Sequence, residues 1–98
     1  MDKAMKHYEL LFILTSDTET KAQETLVETL TKLTETAKGK VEKHDIWGKK
    51  TFSYPVKKHR DGIYHLLSLS MNSSAVPAFE KKVKLEEKIV RYLLIVKD

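Results

Sequence analysis

KVEKHDIWGKKTFSYPVKKHRDGIYHLLSLS, residues Lys40–Ser70, is the stretch on which the fold turns. Val41, Ile46, Trp47, Phe52, Tyr54 and Val56 are spread among lysines from Lys40 to Lys58. That mixture predicts one long, exposed strand with a bulge or bend at Gly48. Pro55 cannot donate to a ladder, so the strand belongs at a sheet edge. His59-Arg60-Asp61-Gly62 supplies a turn whose Asp-Gly pair suits a hairpin reversal, and Ile63–Ser70 returns antiparallel.

Working outward, His7–Leu14 is short, aromatic and apolar and stops at Thr15-Ser16-Asp17, which predicts a buried first strand. Ser16-Asp17-Thr18-Glu19 fits a capping box, with Ser16 accepting from the Glu19 amide and Glu19 reaching back. A helix then follows with Ala22, Leu26, Leu30, Leu33 and Ala37 on one stripe, Glu24, Glu28 and Glu35 on the other, and Gly39 as its left-handed stop. Seven threonines between Thr18 and Thr36 lower its intrinsic propensity, so packing must hold it. Beyond Ser70, Ser73 or Ser74 is placed to cap a second helix. Pro77 is tolerated in its first turn, Val76, Phe79 and Val83 form an apolar stripe, and its end falls near Leu85. Ile89–Lys97 is the last strand. Strand, helix, strand, strand, helix, strand is the order of an α+β, ferredoxin-like βαββαβ sandwich, a four-stranded antiparallel sheet with two helices on one face.

The 98 residues and 11.4 kDa fit one domain spanning 1–98. Hydrophobic residues make up 41% and charged residues 33%, which argues against both a disordered tail and a membrane span. No secretory signal is read in Met1–His7. Cys is absent, which excludes disulfides, thiolate metal sites and cysteine nucleophiles. The net charge of +4 is unevenly spread: Lys38–Arg60 holds eight cations against Glu42 and Asp45, so that segment is +6 and the rest −2. Clustered positive charge is the footprint of a protein that meets phosphate, and also of a merely solvated strand.

Alternation assigns the faces. Tyr8, Leu10, Phe12 and Leu14 point toward the helices, and His7, Glu9, Leu11 and Ile13 away. His65, Leu67 and Leu69 point in, and Tyr64, Leu66 and Ser68 out. The last strand is apolar on both sides, with Tyr92, Leu94 and Val96 assigned outward. Leu11, Ile13, Tyr64, Leu66, Tyr92 and Leu94 thus form an expected protein-partner face.

Four motifs in order, Lys6-His7-Tyr8-Glu9, Trp47-Gly48-Lys49-Lys50, Phe52-Ser53-Tyr54-Pro55-Val56 and Ile89-Val90-Arg91, resemble the bacterial small-subunit ribosomal protein six family over Met5–Lys97. The resemblance implies a non-enzymatic, cytoplasmic constituent of the small ribosomal subunit. It also implies binding to the central domain of the small-subunit (16S) ribosomal RNA together with ribosomal protein eighteen. Met1–Ala4 precedes the usual family start and reads as an extension or an alternative initiation site. The family more often has Leu-Ala at Phe52-Ser53 and Arg at Lys49 and Lys50, and Lys lacks the planar fork of Arg.

Lys49, Lys50, Lys57, Lys58, Arg60, Arg91 and Lys6 are the candidate RNA contacts, mostly to phosphate and sugar. A base-stacking sheet face of the RNA-recognition-motif type is poorly met by Asp61–Ser68, which has acid where a base is wanted and aliphatics where rings are wanted. Trp47 reads as a core or partner-contact residue. An acylphosphatase-like enzyme would need an anion cradle after the first strand, whereas Thr15–Glu19 has no Gly and two carboxylates. His7, His44, His59 and His65 show neither metal spacing nor a nucleophile partner, so no cofactor, metal or small-molecule substrate is expected. A homo-oligomeric ligand-sensing or regulatory domain, pairing through the same apolar face, stays open.

Overall fold

The computed structural model describes residues 5–56 and 59–97. Its elements are β1 (Met5–Thr15), α1 (Thr20–Thr36), β2 (Lys40–Val56), β3 (His59–Asn72), a 3₁₀ turn (Ser73–Ala75), α2 (Val76–Lys84) and β4 (Ile89–Val96). The strands form one antiparallel sheet in the order β2-β3-β1-β4. This is the ferredoxin-like sandwich expected from the order of elements. The two inner strands are β1 and β3, and β2 runs along an edge, as Pro55 in its sequence requires.

One face of the sheet carries the core. Tyr8, Leu10, Phe12, Leu14, Ile63, Leu67, Leu69 and Met71 pack against Leu26 and Leu30 of α1 and Phe79 and Val83 of α2. α1 is poor in propensity and answers by packing. Thr25, Thr29, Thr31 and Thr34 each turn the hydroxyl back to the carbonyl four residues earlier, at 2.8 to 3.0 Å. The hydroxyl of fully buried Thr34 is thereby satisfied inside the apolar stripe.

The helix start differs from the capping-box expectation. Ser16 and Asp17 lie in a turn closed by the Thr18 amide on the Thr15 carbonyl, 3.0 Å, and by the paired hydroxyls of Thr15 and Thr18, 2.7 Å. Buried Thr18 fixes that turn, so α1 begins at Thr20 with Glu19 at the N-cap and no side-chain cap. At the other end the left-handed residue is Lys38, φ 61°, and not Gly39. The Lys38 amide donates to Glu35 O and the Gly39 amide to Thr34 O, both 2.8 Å, a Schellman closure shifted by one. Glycine is needed at 39 for a different reason, since a Cβ there would strike the Ser70 carbonyl and come within 2.8 Å of Met71 Cβ.

The hairpin also shifts. Asp61 and Gly62 are not its turn: they lie inside β3, opposite Thr51 and Lys50, and the ladder runs on to the pair Val56 and His59. Gly62 is buried where chains crowd, and a Cβ would meet Ile13 Cγ2, Leu14 O at 2.9 Å and Phe52 Cζ at 3.0 Å. Gly48 behaves as expected, with φ 93° at a register shift between Ile46 and Gly48. Neither Ser73 nor Ser74 caps α2: both lie in the 3₁₀ turn, which Asn72 caps through its carboxamide oxygen on the Ser74 amide at 2.9 Å, and α2 starts after Ala75 with no side-chain cap. Pro77 then sits in the first turn of α2.

On β4 the assigned faces are reversed. Leu94 lies opposite Leu10, Tyr92 opposite Phe12 and Val96 opposite Tyr8, so these three share the helix side. The Tyr92 hydroxyl confirms this by donating to Glu80 of α2 at 3.0 Å, and burial together with that carboxylate pushes the phenol pKa up. Arg91, Leu93 and Ile95 take the open face. Apolar side chains on both sides of β4 left alternation without a signal, and pairing with β1 sets the register.

Candidate nucleic-acid interface

Gly48, Tyr64, Ile13 and Arg91 stand opposite one another in one row across all four strands. The bulge before Gly48 leaves Trp47 without a partner in the ladder, and its indole lies parallel to the Tyr64 ring, with centroids 6.3 Å apart and planes 10° apart. Phe52 meets the same tyrosine at 58° and 6.3 Å. Beside these rings a groove of about 380 Å³ is lined by Leu11, Ile13, Tyr64 and the Arg91-Tyr92-Leu93 stretch of β4. Trp47 is 49% exposed, which removes the core reading of it.

The expected partner residues divide. Leu11, Ile13, Tyr64 and Leu66 do share the open face, with Ile13 only 9% exposed as the groove floor. Tyr92 and Leu94 do not belong there. Their places are taken by Leu93, 54% exposed, and Ile95, 43% exposed, which sequence reading missed.

The expected RNA contacts divide too. Lys50 stands on the open face opposite Gly62, Lys49 opposite Ile63 on the helix side, and both are exposed, as are Arg60 and Arg91. Lys57 and Lys58 lie outside the described residues. Lys6 pairs with Met71 at the far end of β1, seven residues from Ile13, which is about 23 Å along a strand. Among the described residues, none of Lys49, Lys50, Arg60 and Arg91 has a carboxylate within salt-bridge distance. The other half of the open face is different: His7 meets Glu42 at 3.2 Å, Lys43 meets Asp45 at 3.7 Å, and Lys97 meets Glu9 at 3.8 Å. The ion pairs of the open face thus gather at the end away from the rings, while the cations at the ring-bearing end have no carboxylate partner among the described residues.

Two of the histidines meet on the helix side, where with Gln23 they border a recess of about 200 Å³. His65, 1% exposed, lies against the Phe12 ring at 5.1 Å and bonds His44 Nε2 through Nδ1 at 2.9 Å and Gln23 Oε1 through Nε2 at 2.8 Å. Gln23 Nε2 donates to the Thr18 carbonyl at 3.0 Å, so its oxygen must accept. His65 thus carries its proton on Nε2, and His44 donates to it through Nε2. Burial, and then His44, pushes the His65 pKa down to about 4, and burial also lowers that of His44 against the opposing pull of Asp45. The chain of hydrogen bonds runs from exposed His44 to buried His65 and partly buried Gln23, and among the described residues no group of three ligand side chains is placed to hold a metal.

The family model for ribosomal protein S6 matches residues 7–96. The chain belongs to the ribosomal protein S6 family. A small ribosomal subunit protein bS6 from Dictyoglomus turgidum is 32% identical over 92% of this chain and 93% of its own. Another from Paramagnetospirillum magneticum is 37% identical over 93% of this chain and 63% of its own. The crystal structure of 30S ribosomal protein S6 from Thermotoga maritima superposes with a TM-score of 0.88 at 26% identity, over 95% of this chain and 88% of that one. Members of the S6 family are structural, non-enzymatic ribosomal proteins, which disposes of the acylphosphatase alternative. The matched span takes in the Trp47 bend, the row across the sheet and Arg91, and begins one residue after Lys6.

Proposed function

We propose that this S6-family chain works in the cytoplasmic small ribosomal subunit by binding the central domain of its RNA together with ribosomal protein eighteen. The observation that carries this reading is the division of the open face. Lys50 and Arg91, cations without a carboxylate partner among the described residues, share the end of that face that carries exposed Trp47 and half-buried Tyr64, and the apolar groove and Leu66, Leu93 and Ile95 continue the same surface. Phosphates suit the first, and a protein contact suits the second. A net charge of +4 offers few phosphate contacts, so the chain alone binds RNA weakly, and firm binding requires the partner to cover the apolar surface. Filter binding of a central-domain RNA fragment, with and without ribosomal protein eighteen, tests this. Equal and tight affinity in both arms overturns the cooperative reading, and failure of the chain to sediment with small subunits overturns the whole.

A further inference from the structure

We propose that Trp47 is a base-stacking site: an unpaired RNA base lies on the solvent face of the indole while Tyr64 backs the other face. The inference rests on the RNA-binding reading above and adds a contact to bases where that reading has only phosphate and sugar.

Four observations lead to it. Trp47 is the sole tryptophan of the chain and stands 49% exposed, although burying an indole is among the larger gains open to a small domain. The bulge at Gly48, with φ 93°, directs it outward, so its exposure is built into the backbone. Its position is held, because the parallel Tyr64 ring supports one face and Phe52 in turn braces Tyr64. A ring fixed in advance loses little conformational freedom when a ligand settles on it. Finally, Lys49 and Lys50 follow it directly in the chain, and Arg91 lies across the same row beyond Ile13.

A planar apolar surface among cations matches a ligand that is itself planar and anionic, as a nucleotide is. An apolar anchor from a protein would use the indole but leave the cations unanswered. Stacking is indifferent to which base is present, so the site adds affinity for exposed bases over paired ones without selecting a sequence. An S6-family protein equipped in this way favours a loop, bulge or end of the RNA, where a base is free to leave its neighbours.

The sole tryptophan makes the test direct. The full chain is titrated at low ionic strength with a single-stranded RNA decamer of mixed sequence and with an abasic decamer of the same backbone, reading indole emission and affinity. The base-bearing decamer should quench the emission and bind roughly 5- to 100-fold more tightly. Trp47→Ala should reduce its affinity to that of the abasic decamer, and Trp47→Phe should restore part of the difference, with thermal melts unchanged for both variants. Equal affinity of the two decamers and steady emission overturn the stacking site while leaving RNA binding intact. Loss of binding to both decamers and to the central-domain fragment with its partner overturns the RNA reading itself. Quenching by ribosomal protein eighteen in the absence of RNA assigns the ring to a protein contact and overturns the proposal.

Discussion

Leu66 and Leu67 are the same residue one position apart, yet they live on opposite sides of the sheet. Leu67 is wholly buried among Leu10, Leu30 and the α2 side chains that complete the core, whereas Leu66 is half-buried on the open face. The helix side holds an apolar core with the His44-His65-Gln23 chain at its margin, in which buried His65 is bonded through both ring nitrogens. The open side holds an apolar groove, three rings and unanswered cations. The difference shows that in this sheet composition says little about role and register says nearly everything.

The largest expected effect tests that division directly. Leu67→Ala should destabilise the free domain by about 2–5 kcal/mol, since it leaves a cavity in a packed core. Leu66→Asp should cost the free domain less than about 1 kcal/mol. Its penalty should appear on binding ribosomal protein eighteen, where an unpaired carboxylate in a desolvated contact costs several kcal/mol. Thermal melts beside a pull-down separate the two. If Leu66→Asp unfolds the domain and Leu67→Ala does not, the two faces have been exchanged.

Legibility in the sequence followed the same division. Where polar residues marked one side of a strand, as His7 and Glu9 do in β1 and Ser68 does in β3, alternation placed every residue on its proper face, including buried His65. Where both sides were apolar, as in β4, it placed Tyr92, Leu94 and Val96 on the wrong one, because only pairing with β1 carries that information. The order of elements was readable because each is bounded by turn-forming or polar residues. The glycines misled where crowding demanded them: Gly39 and Gly62 look like a helix stop and a turn, but serve to let backbones approach. The basic bend was visible as a run of charge. The placement of Trp47 on Tyr64 was not, since it depends on a bulge that shifts the ladder by one residue.

A second test addresses the histidine chain of the helix side. The folded chain holds His65 neutral down to about 4, and unfolding returns it to the ordinary value of 6.5. Between those values the unfolded chain binds the proton more tightly, so stability present above pH 6.5 is lost as the pH falls toward 4 and levels off below. The loss attributable to this residue is up to about 3 kcal/mol. His44, lowered in the same sense, adds to the slope. Urea melts at several pH values should show His65→Gln less stable at neutral pH but flatter in this window. A slope identical to that of the unmodified chain would mean that His65 accepts its proton without disturbing the core.

The smallest effect on stability belongs to the open side. Changing Lys49 and Lys50 together to Gln should move the melting free energy by less than about 0.5 kcal/mol. RNA complex formation should weaken, with the log–log salt slope falling by roughly one unit for each phosphate that is no longer neutralised. An unchanged slope would reduce the basic bend to a solvated strand and leave Arg60, Arg91 and Trp47 as the face toward RNA.

β1 ends at Thr15, opposite Gly62, whereas β2 and β3 continue past it to Val56 and His59. The hairpin therefore projects from the sheet as a two-stranded arm, and a pair of strands without a third neighbour or a helix behind it is the part of such a fold that opens at least cost. Amide hydrogens of Thr51–Phe52 and His59–Asp61 should exchange with solvent deuterium far sooner than those of the Leu66–Met71 ladder, without unfolding of the core. An arm that opens and closes on its own clock can be fastened late, after the body has docked, which gives assembly a direction in time as well as a geometry.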